Sequence, residues 1–146
     1  MRIVHYLSFD KFGVKMKIRA SYTRLLVSDL EACFNFYRDV MEFKVNMEAL
    51  RDGYAEFAAG DMKLALFRRQ EMAEMIGNEN KPTHAECQDK LVLIFTVADL
   101  EEECQQLKHK GVKFTKEPLS NPYYNLKTAY FRDPDDNLIG LFEQIV

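Results

Sequence analysis

His84, Glu86 and Cys87 put an imidazole, a carboxylate and a thiol within one short stretch. Such a set can ligate a metal ion, and His84 on a closing loop can serve as a base. A divalent ion needs several convergent donors, however, and no second cluster in the chain completes this one. The remaining histidines stand apart: His5 lies near the start, and His109, between Lys108 and Lys110, reads as a surface residue. No native metal and no cofactor are expected. The chain has no Gly-x-Ser-x-Gly elbow, no P-loop and no dinucleotide fingerprint.

Arg24 is the more informative residue. It enters an apolar run, Leu25-Leu26-Val27, that reads as a strand. A guanidinium there is either paired or recruited. It can receive a carboxylate or phosphate through its bidentate fork, or it can pair with Glu56, and the sequence leaves both open. Tyr22, Tyr54 and Tyr130 can stack on a guest or hydrogen-bond to it, or they can be core or interface residues. Glu56 could act as a general base if buried, with Tyr22 or Tyr130 donating a proton, so catalytic residues stay unassigned.

These groups need a scaffold, and the chain contains one twice. Leu25-Leu26-Val27-Ser28-Asp29-Leu30-Glu31 is matched by Phe95-Thr96-Val97-Ala98-Asp99-Leu100-Glu101. Each is an apolar strand running into an acidic helix start. Ser28 with Glu31, and Asp99 with Glu102, have capping-box spacing. Leu30, Cys33, Phe34, Tyr37 and Met41 then recur at helical spacing, as do Leu100, Cys104 and Leu107. Cys33 and Cys104 read as small core residues. Gly111 suits a helix C-terminus. Short strands follow at residues 43–45, 54–58 and 63–67, and again at 112–114, 127–131 and 138–142. The turn Asp133-Pro134-Asp135-Asp136-Asn137 joins the last two, with Asp135 and Asp136 read as solvent-facing. Each copy is strand, helix, strand, strand, strand. The fold class is α+β: two tandem βαβββ modules whose mixed sheets form a cup around a small-molecule cavity.

Module one covers residues 20–67 and module two residues 91–146. A linker or lid, residues 68–90, contains a short helix at 69–76 and a turn-rich break. Residues 1–19 form a basic lead-in with Arg2, Lys11, Lys15, Lys17 and Arg19, either solvated or phosphate-binding, and Met16 is a second candidate start.

Composition agrees with a globular domain: 47% hydrophobic and 29% charged residues, with a net charge of -3. Nothing in it asks for nucleic acid or a membrane, and no apolar run reaches the roughly 18 residues of a spanning helix. Three cysteines make no disulfide framework, so a cytoplasmic location is expected.

Strand alternation sorts the faces. Leu25, Val27, Leu64, Leu66, Phe57, Phe131, Ile139 and Leu141 turn toward the helices. Tyr22, Arg24, Tyr54, Glu56 and Phe67 turn inward to the cup, as do Tyr130, Arg132 and Phe142. Tyr124 and Lys127 border its mouth, and His84 can reach it from the loop.

The ordered set of Leu25-x-Val27-x-Asp29-Leu30, Phe36-Tyr37-Arg38-Asp39-Val40, Phe95-x-Val97-x-Asp99-Leu100 and Phe131-Arg132-Asp133-Pro134-Asp135-Asp136-Asn137-Leu138-Ile139 resembles the vicinal oxygen chelate superfamily, the glyoxalase/bleomycin resistance/dioxygenase group. The resemblance covers residues 20–144. It implies a fold and a choice of chemistries: metal-dependent lyases and isomerases, ring-cleaving dioxygenases, thiol transferases, and metal-free proteins that sequester drugs. It also implies metal-ligand positions, which fall here on Tyr22, Val92, Ala65 and Gly140. Three of these have no donor side chain. The expected function is metal-independent binding of a small, partly aromatic or anionic organic molecule. An enzyme of the same superfamily with unusual ligands or a metal-free acid/base site stays open, as does a structural role with a filled cup. A homodimer is expected, with the cup formed within one chain or across two.

Overall fold

The computed structural model describes residues 16–18, 20–83 and 88–145. His5, His84, Glu86 and Cys87 lie outside them.

Module one begins with β1 (Thr23–Val27), in which Leu25 and Val27 are buried and Arg24 and Leu26 exposed. Helix α1 (Leu30–Asn35) continues into a π-helical turn, Phe36–Val40, which keeps Phe36 and Tyr37 buried. Strands β2 (Lys44–Ala49), β3 (Tyr54–Ala59) and β4 (Met62–Arg68) follow, and then α2 (Arg69–Ile76). Module two repeats the order with β5 (Val92–Thr96), α3 (Leu100–His109), β6 (Phe114–Asn121), β7 (Leu126–Arg132) and β8 (Leu138–Gln144). The sheets run β1-β4-β3-β2 and β5-β8-β7-β6, each with one parallel pair. The repeat and the two mixed sheets are as the sequence predicts.

Three local expectations are corrected. The first helix is capped by Asp29, whose carboxylate accepts from the Ala32 amide at 3.0 Å. Ser28 is drawn elsewhere: its amide donates to Asp135 of module two at 3.1 Å. Asp29 is thus the true counterpart of Asp99, which accepts from the Glu102 amide. That contact also leaves Asp135 half-buried rather than solvent-facing, and burial raises its pKa. Finally, β2 and β6 start later than the apolar triplets suggest, because Phe43 and Val112 pack against the core as lead-ins.

The helix sides of both modules merge into one core. Leu30, Cys33, Phe34 and Tyr37 share it with Leu100, Cys104, Leu107 and Phe131. Burial raises the pKa of both thiols, that of Cys104 to about 11. Phe36 meets Phe131 at 6.4 Å between ring centroids, and Phe43 meets Phe95 at 5.2 Å. Lys110 donates to the Val40 carbonyl at 3.0 Å.

The joint also has a buried polar knot. Asp133 is 4% exposed and accepts from the Tyr37 hydroxyl at 2.7 Å. The same carboxylate accepts from the Asp135 and Asn137 amides and from Asn137 Nδ2, at 2.8 to 2.9 Å. Burial, and then the Asp133 charge, raise the Tyr37 pKa well above the usual tyrosine value of 10.0. The unfolded chain therefore releases a proton that the folded chain retains, and stability falls as pH rises past about 10. Tyr37→Phe should remove up to about 1.4 kcal/mol per pH unit of that slope. Urea unfolding between about pH 9 and 11 measures it; an unchanged slope would show that Tyr37 is not the titrating group. The lost hydrogen bond adds an offset that does not vary with pH.

Candidate functional site

Because the helix sides face each other across one core, the other face of each sheet is left open. On module one, β1 contributes Tyr22 just ahead of its first residue, then Arg24 and Leu26. Register places Arg24 beside Ala65 and Ala65 beside Glu56, and it places Leu26 beside Phe67 and Phe67 beside Tyr54. Module two lines up Ile94, Gly140 and Tyr130 in the equivalent row, and Thr96, Phe142 and Thr128 in the next. Tyr22 is 52% exposed, Ile94 43% and Leu26 41%. Both faces thus leave apolar groups partly in water.

On the first face, the Arg24 guanidinium sits 5.4 Å from the centroid of the Tyr54 ring and 5.3 Å from that of Phe67. The two rings meet edge to face at 6.5 Å. Glu56 is not paired with Arg24: its oxygens accept from the Tyr54 hydroxyl at 3.2 Å and from Asn46 Nδ2 at 3.3 Å. Burial, and then the Glu56 carboxylate, raise the Tyr54 pKa, with Arg24 opposing. Tyr54 is thus a neutral hydrogen-bond donor at physiological pH. Lys63 rests over the Tyr22 ring at 5.1 Å.

On the second face, Tyr130 and Phe142 meet edge to face at 6.0 Å. They close over Gly140, where an added Cβ would stand 3.0 Å from Tyr130 and 3.1 Å from Phe142. Arg132 is spoken for: it holds Asp89 with two hydrogen bonds of 2.8 Å and the Asp136 carbonyl with a third. That pairing lowers the Asp89 pKa and raises that of Arg132.

The structure therefore brings together Tyr22, Arg24, Tyr54, Glu56 and Phe67 on one face and Tyr130 and Phe142 on the other. Tyr124 is on the β6–β7 turn, exposed and stacked edge-on against Tyr123 at 4.8 Å. Lys127 is corrected: it turns to the helix side, toward Glu101 and Glu143. Sequence reasoning missed the Asp133 knot, for which a carboxylate at the edge of a turn gives no signal of its own. A cavity of about 470 Å³ opens in the joint between modules, lined by Phe36, Val40, Val112, Phe114 and Lys110. Lys110 there is committed to Val40 and Glu42, so the cavity reads as a seam of the joint.

The residues present do not fit a divalent metal. Of the four implied ligand positions, Val92, Ala65 and Gly140 offer no donor atom, and the space beside Gly140 is filled by two rings. Tyr22 remains, half in solvent under Lys63. Among the described residues no three His, Cys, Asp or Glu side chains converge. No helix among them is long and apolar enough to cross a membrane.

Comparison with known proteins agrees with this architecture. The sequence model of the Glyoxalase/Bleomycin resistance protein/Dioxygenase superfamily matches residues 19–141. An uncharacterized Bacillus subtilis protein, YraH, is 35% identical over 122 residues, covering 84% of this chain and 95% of that protein. Among solved structures, a glyoxalase/bleomycin resistance protein/dioxygenase from Nocardioides superposes with a TM-score of 0.70 at 21% identity, covering 89% of this chain and 87% of that one. A lactoylglutathione lyase from Agrobacterium tumefaciens does so with a TM-score of 0.66 at 23% identity, covering 88% and 96%. At such identities these two likenesses concern the fold alone.

Proposed function

This chain belongs to the Glyoxalase/Bleomycin resistance protein/Dioxygenase superfamily, and from that premise we propose that it binds a small organic molecule, without a metal, in a cup closed by a second copy of itself. One observation carries the reading. Two matching faces, each built on aromatic residues around a small central residue, stand open on opposite sides of a shared core. A face with Arg24, Tyr54 and Phe67 can be closed by one with Ile94, Tyr130 and Phe142 only if the second comes from another chain. Strands β1 and β5 also end their sheets as unpaired edges, which favour contact with another chain. A two-fold arrangement would form two such cups at once. Ala65 and Gly140 stand where the superfamily's metal enzymes need donors, and neither supplies one. The reading assigns binding, and no reaction. A reducing cytoplasm suits the unpaired, buried thiols of Cys33 and Cys104.

The test combines sedimentation, elemental analysis and a neutral fluorescent dye, phenylnaphthylamine, as the cup-filling probe. The expected protein is a dimer that binds the dye with no stoichiometric metal and no response to chelator. Ile94→Asp changes an exposed residue, so the single chain should still fold. It should split the dimer and weaken the dye at least about tenfold, a loss of about 1.4 kcal/mol. A monomer, or dye binding abolished by a chelator, would refute the reading.

A further inference from the structure

We propose that the guest is an organic anion: a small molecule with a carboxylate or phosphonate end, held by Arg24, and an apolar body of about aromatic size. This rests on the shared cup proposed above and names what the cup selects.

The argument is one of charge. Arg24 stands in the middle row of its face, with aromatic rings on two sides. Such rings hold a guanidinium by its face, and beyond the contact it makes with the Tyr54 hydroxyl its fork keeps N–H donors for an oxyanion. Among the described residues no carboxylate lies within ion-pair distance of it. Glu56, the acid of that row, turns its oxygens to two neutral donors, Tyr54 and Asn46, and makes no ion pair with Arg24, although its charge stays on the face. Lys63 adds a second cation to the same face.

Among the described residues of its module-two sheet face, a closing second copy does not bring the missing charge. The matching row of module two holds Ile94, Gly140 and Tyr130, with Thr96, Phe142 and Thr128 beside it. Its cations among the described residues are Arg132, held by Asp89, and Lys116, which stands opposite Tyr130 in the same row and adds positive charge. Closure therefore takes water from Arg24 without supplying a counter-charge, and burying an unpaired guanidinium is strongly unfavourable. A guest that carries the anion removes the difficulty. The planar fork would then grip two oxygens side by side, and Phe67, Tyr130 and Phe142 would pack on the rest of the molecule. Tyr54 keeps its one hydroxyl proton on Glu56 and offers the guest its ring.

The experiment is displacement of phenylnaphthylamine from the dimer by phenylacetate, phenylphosphonate and the neutral phenylacetamide. The measure is the ratio of the acid's affinity to the amide's, taken within each protein, so that a general loss of affinity cancels. The wild type should prefer the acids by about tenfold or more, and the preference should shrink as salt is raised. Arg24→Gln should bring the ratio to about one, while Arg24→Lys, which keeps the charge without the fork, should keep part of it. Equal affinity for acid and amide in the wild type would overturn the proposal and leave the shared cup standing. So would a preference that survives Arg24→Gln. A dye that never binds the wild type would overturn the cup and this proposal with it.

Discussion

Asp133→Ala should lower the stability of the fold by about 3–4 kcal/mol, measured by urea unfolding near neutral pH. The carboxylate gathers four donors in the joint between modules, one of them the buried Tyr37 hydroxyl from the far side of the joint. Its removal strands that hydroxyl away from water and frees the turn that aims Asp135 at the Ser28 amide. Asp133→Asn should lose less, because an amide keeps one acceptor oxygen. In a double-mutant cycle, Tyr37→Phe and Asp133→Ala should fall short of additivity by about 1–2 kcal/mol. Full additivity would show that the two groups act separately.

Phe131→Ala should be about as damaging, at about 3–5 kcal/mol. The ring is fully buried and touches Phe36 of module one and Phe114 of its own module, at 6.4 and 5.4 Å between centroids. Removing it leaves a void at the point where the two modules pack on each other, and neither sheet can close the gap without sliding. The check is again chemical unfolding, with near-ultraviolet circular dichroism reporting the surrounding rings. A loss under about 1 kcal/mol would mean that the joint repacks, unlike a close-packed core.

The contrast between these two residues shows what the sequence could reveal. Phe131 was legible as a core residue because it alternates along a strand, and Leu30, Cys33 and Tyr37 because they recur along a helix. Local period alone reports those. Asp133 sits between a strand and a turn, and its partner Tyr37 is distant in the chain, so no local pattern announces the knot. The same limit applies at Asp29 and Ser28. Spacing offered Ser28 as the cap, and only the approach of Asp135 from the other module shows why its amide is engaged elsewhere. At the candidate site, alternation correctly put Arg24, Tyr54, Glu56 and Phe67 on one face. It could not decide between an ion pair with Glu56 and an unpaired cation, since that turns on Asn46 and the Tyr54 hydroxyl. Nor could it say which sides of the modules meet, which depends on packing between elements far apart in the chain. Lys127 was misplaced at the mouth although alternation from Phe131 puts it on the helix side, where it finds two carboxylates.

Gly140 gives the molecule a direction of change. Even an alanine there asks the rings of Tyr130 and Phe142 to yield by a few tenths of an ångström. A glutamate adds four further heavy atoms, Cγ, Cδ and the two carboxylate oxygens, where those rings lie, so its carboxylate has room only once at least one ring has been displaced. Converting this chain to a metal-dependent enzyme is therefore not a one-step walk through sequence space: the first substitution would carry a penalty and no chelate. Engineering toward that end should start by shrinking Tyr130 or Phe142 and install acids afterwards.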